Sequence, residues 1–277
     1  MTVGKEIKTM KHTYGFIGCG NMGGALARAA AKAVSSDQIL IAEKDEAKAA
    51  AFAQETGVSV GESVAAASEC KYIFLGVKPQ MLEDMFAEIR PVLVSRSDRF
   101  ILVSMAAGIS SEKIQKLSGG DYPVIRIMPN IPASVGEGMI LYCTKGNVEK
   151  EELEEFLHLM SKTGRLCRLD EKLIDAGSAV SGCGPAFAFM FIEALADGGV
   201  QCGLPRDKAV LLSAQTLLGS AALLLETGSH PGVLKDAVCS PGGTTIAGVH
   251  ALEKGAFRSS AAEAVLEAYK RTLEMGK

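Results

Sequence analysis

The run Gly18-Cys19-Gly20-Asn21-Met22-Gly23 constrains this chain more than any other stretch, because of where it stands. It follows a short apolar, β-rich run, Tyr14-Gly15-Phe16-Ile17, and opens a segment rich in helix formers that predicts a helix over 22–33. In that setting the three glycines differ in what they permit. Gly18 makes a tight turn, Gly20 lets the backbone approach a pyrophosphate, and Gly23 lets helix and strand pack closely. The helix N-terminus offers free N–H groups and a positive dipole end to phosphate, so Cys19, Asn21 and Met22 join the glycines as candidate dinucleotide contacts.

Further apolar runs recur downstream at Ile39-Leu40-Ile41, Tyr72-Ile73-Phe74-Leu75, Ile101-Leu102-Val103 and Val124-Ile125-Arg126-Ile127, separated by stretches with helical spacing. Strands alternating with helices imply βαβ units and a parallel sheet. Residues 46–53 are strong helix formers, and Gly57 stands where it can close that helix as a C-cap. The pattern predicts a doubly wound α/β domain of Rossmann type over residues 13–169, preceded by a tail over 1–12. Past Glu171 the β-rich runs stop, and Gly and Pro punctuate stretches rich in Ala, Leu and Glu. Four or five helices are expected there, with Pro185 and Pro205 at helix starts, where a missing N–H costs nothing. The result is an all-α C-terminal domain over 170–277.

One segment of that domain, residues 209–225, holds seventeen residues and no charge, the short limit for a membrane span. It carries Ser213, Gln215, Thr216, Gly219 and Ser220, which favours a helix apolar on every side and buried in a soluble protein. A small helical domain cannot readily cover such a helix, so a second copy of the chain is expected to do so, with the N-terminal domain as the alternative cover. No membrane partner is expected.

Other partners and cofactors are narrowed by composition. The formal net charge is −3, with 29 basic and 32 acidic residues well mixed, so no basic field points to nucleic acid. Seven cysteines stand singly, without zinc or redox spacing, and read as reduced thiols. The four histidines lie far apart, so no metal is expected. The first residues lack an apolar secretory core, which makes the cytoplasm the expected compartment.

The choice of nucleotide falls on Glu43, which ends the second strand. An acidic group there bonds the adenosine ribose hydroxyls and repels a 2′-phosphate, which favours NADH. Lys44 and Lys48 follow, and could receive a phosphate if Glu43 turned away, so NADPH stays open. Two more loops belong at this sheet edge: Gly76-Val77-Lys78-Pro79, where Lys78 could reach a phosphate or carboxylate, and Ser104-Met105-Ala106-Ala107-Gly108, small enough to let a ring or ribose lie on the backbone. Asn130, held between Pro129 and Pro132, could bond a nicotinamide carboxamide or the substrate. Met81, Leu82, Met85 and Phe86 form an apolar helical stripe expected to be core.

Near the other end of the chain, Ser240-Pro241-Gly242-Gly243-Thr244-Thr245 makes a tight loop before a new helical run. The N–H groups of Gly243, Thr244 and Thr245 are then the donors of a helix start, a natural carboxylate site, and Thr245 adds a neutral hydroxyl. An ordinary capped helix is the plainer reading of the hexapeptide alone.

The longer stretch His230–Ile246 resembles the signature of pyrroline-5-carboxylate reductases. The likeness extends over nearly the whole chain, through residues 16–23, Val77-Lys78-Pro79, Ala106-Ala107-Gly108, Met128-Pro129-Asn130, residues 181–186 and residues 193–199. It implies a cytoplasmic enzyme of the last step of proline biosynthesis, which reduces L-1-pyrroline-5-carboxylate to L-proline with NADPH or NADH. It also implies a Rossmann domain, a helical dimerisation domain interlocked between subunits, and often a decamer of five dimers. Within the Ser-Pro-Gly-Gly loop, Ser240, Gly242 and Gly243 would hold the substrate carboxylate while Thr245 bonds the ring nitrogen. Glu43 departs from the small or cationic residues of NADP-preferring members. A protonated imine is already electrophilic, so hydride transfer to it needs orientation more than a strong side-chain acid. A β-hydroxyacid dehydrogenase would need a lysine soon after Gly182-Cys183-Gly184, and the next lysine is Lys208. A non-catalytic nucleotide sensor would have no use for the second anion loop.

Overall fold

The computed structural model describes residues 12–275, so the expected tail over 1–12 lies outside the described residues except for His12. Contacts divide the chain into two units, one running to Gly182 and taking back the residues from Tyr269, the other Cys183–Ala268.

The first unit is built on an eight-stranded sheet: β1 (Tyr14–Ile17), β2 (Ile39–Ala42), β3 (Ser59–Val60), β4 (Tyr72–Leu75), β5 (Ile101–Ser104), β6 (Val124–Met128), β7 (Gly138–Lys145) and β8 (Gly164–Arg168). Their order across the sheet is β3-β2-β1-β4-β5-β6-β7-β8. Pairing is parallel between every neighbour except β6 and β7, which run antiparallel with Ile127 opposite Tyr142. The five runs read from sequence are β1, β2, β4, β5 and β6; β3, β7 and β8 were not legible there, and β7 breaks the all-parallel expectation.

Alternation of side chains sends residues of these strands to two apolar layers. On one face Tyr14, Phe16, Tyr72, Phe74, Ile101 and Val103 pack with Leu26, Ala27 and Ala30 of α1 (Asn21–Ala30), Phe52 of α2 (Glu46–Thr56) and Phe156 of α6 (Lys150–Leu159). On the other, Ile17, Ile73, Leu75 and Leu102 pack with α3 (Ser63–Glu69), α4 (Leu82–Ser95) and Ile114 of α5 (Ser111–Ser118). Phe16 and Phe74 stack with ring centroids 4.2 Å apart across adjacent strands. Helix ends follow local chemistry. Asp45 caps α2 by accepting from the Lys48 N–H, Gly57 closes it at φ +74°, and Ser110 caps α5. α1 ends three residues short of the predicted Ala33, where the chain turns at 31–33.

After β8 come α7 (Glu171–Ser181), α8 (Gly184–Gln201), α9 (Arg206–Thr227), α10 (Pro231–Ala237), α11 (Thr244–Lys254) and α12 (Phe257–Met275), six helices among the described residues rather than four or five. Pro185 lies in the first turn of α8, and Pro205 is the N-cap of α9. α7 packs on β6 and β7 within the first unit, where Met128, Leu141, Cys143 and Ile174 share a cluster. Within the second unit α8 packs on α9, but α9 keeps only Ala209 and Ser213 buried. Leu211, Leu212, Leu218, Leu223 and Leu225 are all more than half exposed, so the chain by itself does not cover the helix that its sequence marks for burial. Two stretches, Glu171–Gln201 and Arg206–Thr227, are long and apolar enough to cross a membrane by length and composition alone. The first is interrupted between α7 and α8.

Candidate active site

The turn after β1 has the form its glycines predict. Gly18 adopts φ +90°, and its N–H donates to Ala42 O at 2.8 Å, tying the turn to the end of β2. Gly23 lies in the first turn of α1, where a Cβ would come within 2.1 Å of Gly18 O. Only glycine allows helix and loop that close. Gly76, after β4, is under the same constraint at 2.4 Å from Gly18 O, and its N–H donates to Ile17 O.

Beside this turn lies a cavity of about 420 Å³. It brings together the expected Gly18, Gly20, Glu43, Lys44, Val77 and Lys78, and adds Gly61, Glu62 and Ser63, which no sequence motif marks. A Cβ on Gly20 would meet no protein atom within 4 Å, and no side chain caps α1 at Gly20. Loop and helix start therefore leave open space and unfilled donor directions where a pyrophosphate would lie, so these residues fit a dinucleotide. Glu43 spans the corner: Cys19 N–H donates to its Oε2 at 3.0 Å and Asp45 N–H to its Oε1 at 3.2 Å. Burial first, and the Glu43 carboxylate second, push the Cys19 thiol up to about 12.

The methionine stripe divides. Leu82, Met85 and Phe86 are core, as expected, whereas Met81 is exposed; Met81 and the inner edge of Met85 line the cavity together with Asp84 and Glu88. A helical period marks an apolar face; it cannot say that the rim of that face borders a pocket. Asn21 and Met22 stand with Gly23 in the first turn of α1, and Pro79 opens a 3₁₀ turn over Pro79–Met81. Ala106, Ala107 and Gly108 do not line the cavity; Ala106 is buried, Ala107 packs with the Met128 cluster and Gly108 turns at φ +72°. Asn130 also lies outside it. Its Nδ2 donates to Ser181 O at 2.9 Å and its Oδ1 accepts from Met139 N–H at 2.9 Å, so the amide expected on a nicotinamide is engaged in joining three parts of its own unit. The paired prolines signalled a stiff loop; the demand for that amide came from distant partners.

In the second unit, α11 starts on Gly243, with no side-chain cap. Gly242 holds φ +68°, the left-handed region that a side chain resists, and Gly243 N–H donates to Ser240 O at 3.0 Å to close the turn. Ser240, Thr244 and Thr245 are all exposed, and no side chain caps the helix, so this is a glycine-started helix rather than the Ser- or Thr-capped one that the hexapeptide alone favours. His230 fixes the preceding turn: its Nδ1 accepts from Gly232 N–H at 3.1 Å. Among the described residues no group of three or more His, Cys, Asp or Glu is placed to hold a metal.

A doubly wound sheet with a dinucleotide loop, followed by a helical unit with uncovered apolar faces, defines a nucleotide-dependent oxidoreductase that self-associates. Comparison with known families agrees at both ends. Residues 13–108 match the family described as NADP oxidoreductase coenzyme F420-dependent, and residues 171–275 match pyrroline-5-carboxylate reductase dimerisation. The chain is 41% identical to a pyrroline-5-carboxylate reductase of Pisum sativum, covering 95% of this chain and 96% of the relative. It is 43% identical to that of Synechocystis sp., covering 95% and 98%. A solved pyrroline carboxylate reductase of Plasmodium falciparum, with NADP bound, superposes with a TM-score of 0.85 at 30% identity, covering 97% of this chain and all of that one. The chain belongs to the pyrroline-5-carboxylate reductase family.

Proposed function

We propose that the cavity beside Gly18–Gly23 holds the cofactor and that Ser240–Thr245 holds the substrate, in a chain that reduces L-1-pyrroline-5-carboxylate to L-proline with NAD(P)H. The activity follows from full-length likeness to reductases of that name. The observation that carries the substrate assignment is the start of α11, where a tight glycine turn presents helix N–H groups without a side-chain cap.

The bound dinucleotide supplies the hydride. Gly18, Gly20 and the first turn of α1 hold its pyrophosphate by backbone N–H groups and the helix dipole, and Glu43 and Lys44 border the adenosine ribose. Val77, Lys78 and Pro79 follow the adjacent strand, with Lys78 presenting a cation to the cavity. In the second unit the N–H groups of Gly243, Thr244 and Thr245, with Ser240, hold the substrate carboxylate, and Gly242 sets the turn that aims them. Thr245 orients the ring nitrogen by its hydroxyl, which can donate or accept as the nitrogen's protonation requires. Ala106–Gly108 shape the strand end rather than touch the adenosine side.

Self-association is intrinsic to a chain with this dimerisation domain. We assign it a cytoplasmic homodimer, with five dimers in a ring as the larger assembly and neither membrane nor nucleic acid as partner. The exposed leucines of α9 and the balanced charge support this.

Steady-state oxidation of NADH and NADPH by L-1-pyrroline-5-carboxylate, beside a β-hydroxy acid in the reverse direction, tests the reaction; turnover of the hydroxy acid alone would overturn it. Thr245→Ala should lower kcat by roughly ten- to a hundredfold with a smaller change in KM, the pattern for an interaction made mainly in the transition state. Unchanged kinetics would remove that role for the hydroxyl.

A further inference from the structure

We propose that this chain selects the cofactor without an adenosine 2′-phosphate, NADH over NADPH, and that Glu43 sets the choice. This rests on the reading of the cavity beside Gly18–Gly23 as the adenosine side of the cofactor site.

Three observations carry it. The first is that Glu43 is fastened at both oxygens: Oε2 accepts from Cys19 N–H in the phosphate loop and Oε1 from Asp45 N–H at the head of α2. To swing aside for a phosphate it would have to give up both bonds, and the loss is the greater at the partly buried Cys19 N–H, since the Asp45 N–H is open to water. A carboxylate has about four acceptor directions, so two remain for the vicinal ribose hydroxyls.

The second is the charge of the cavity wall. Four carboxylates border it, Glu43, Glu62, Asp84 and Glu88, against two ammonium groups, Lys44 and Lys78. A 2′-phosphate brings a charge of about −1.5 to −2 at pH 7 into that surface. The third is that Lys48, a candidate counter-ion for the phosphate in sequence, pairs with Asp45 at 3.2 Å and does not line the cavity. The remaining wall, with Ile17, Val77, Met81 and Met85, is apolar and suits the adenine that both nucleotides share. Discrimination therefore falls on the ribose corner. A related structure holds NADP, so the fold itself does not forbid the phosphate and the choice lies with this chain's own side chains.

The test is a fluorescence titration of the full-length protein with NADH and NADPH, without imine, for the native chain and for Glu43→Gln and Glu43→Ser. The Gln variant keeps a carbonyl for the Cys19 N–H, so it separates charge from support of the loop. The native chain should bind NADH at least about tenfold more tightly than NADPH at low salt, and screening should narrow that gap as ionic strength rises. Both variants should bring the two affinities within about threefold, chiefly by strengthening NADPH. Equal or tighter binding of NADPH by the native chain would overturn the proposal, as would variants that weaken both nucleotides in parallel and leave their ratio intact. A protein that shows the preference yet leaves NADH unoxidised by L-1-pyrroline-5-carboxylate would remove the reductase reading while the role of Glu43 stands.

Discussion

Cys19 sits between Gly18 and Gly20 in the turn that joins β1 to α1, and its surroundings make it a poor nucleophile. Its backbone N–H serves Glu43 while burial and that same carboxylate disfavour its thiolate, lifting the thiol to about 12. A thiol shifted upward stays protonated to higher pH than it does in the unfolded chain. Iodoacetamide should thus modify Cys19 far more slowly in the native protein than in urea up to pH 9, with the rate climbing only above about pH 10. Peptide mass mapping checks this, and alkylation at pH 8 at the unfolded rate would contradict it. At this scale the sequence disclosed a great deal. Gly18, Gly20, Gly23 and Glu43 are legible because each meets a local backbone or charge requirement. Asn130 and Met81 were not, since their surroundings depend on residues roughly fifty positions away or on which rim of a helix borders a cavity.

At the scale of elements, α7 is held to the sheet by a buried cation. Arg126 on β6 is nearly inaccessible; it donates to Asp175 on α7 at 2.5 Å, and Glu171 lies 3.7 Å away at the head of the same helix. Removing a partner from a buried guanidinium costs more than the pair contributes, because the charge is left in a poor environment. Asp175→Ala should cost roughly 3 kcal/mol in urea unfolding, the low end for such pairs because Glu171 remains nearby. Arg126→Met combined with Asp175→Leu should recover most of that loss, and additive losses in the double variant would contradict the account. The strands of this unit were legible where they are fully buried runs set between helices. β3 is two residues long, too short for any period, and β8 is a half-exposed strand bounded by arginine. β7 follows a 3₁₀ turn over Ile131–Val135 instead of a full helix, so the strand–helix rhythm gave no cue and its antiparallel direction could not be read.

For the whole molecule, the apolar surface of the second unit decides the state in solution. Leu211 and Leu218 are each more than half exposed on a helix of 22 residues that carries no charge between Lys208 and Glu226. Contiguous apolar surface of this kind belongs against a partner, and the match of residues 171–275 to a dimerisation family identifies that partner as the chain itself. Light scattering should give a dimer or a multiple of one. Leu211→Glu with Leu218→Glu should shift it to monomer at micromolar concentration and lower the melting temperature, because assembly and folding are linked. A native monomer, or partition of the native protein into detergent, would contradict this.

The N-caps of α1 and α11 are both glycine, Gly20 and Gly243, whereas α2, α5 and α6 start on side chains that bond back to the helix. An anion bound at either glycine start would act as a capping residue supplied from solution, completing a helix that the genetic sequence leaves for chemistry to finish. Each ligand then becomes part of the folding equilibrium, worth about 2.7 kcal/mol at a hundred times its Kd. The reduced nucleotide and L-proline should each raise the melting temperature alone, and more together. The concentrations of its own reactants would thus set how long this catalyst survives in the cell.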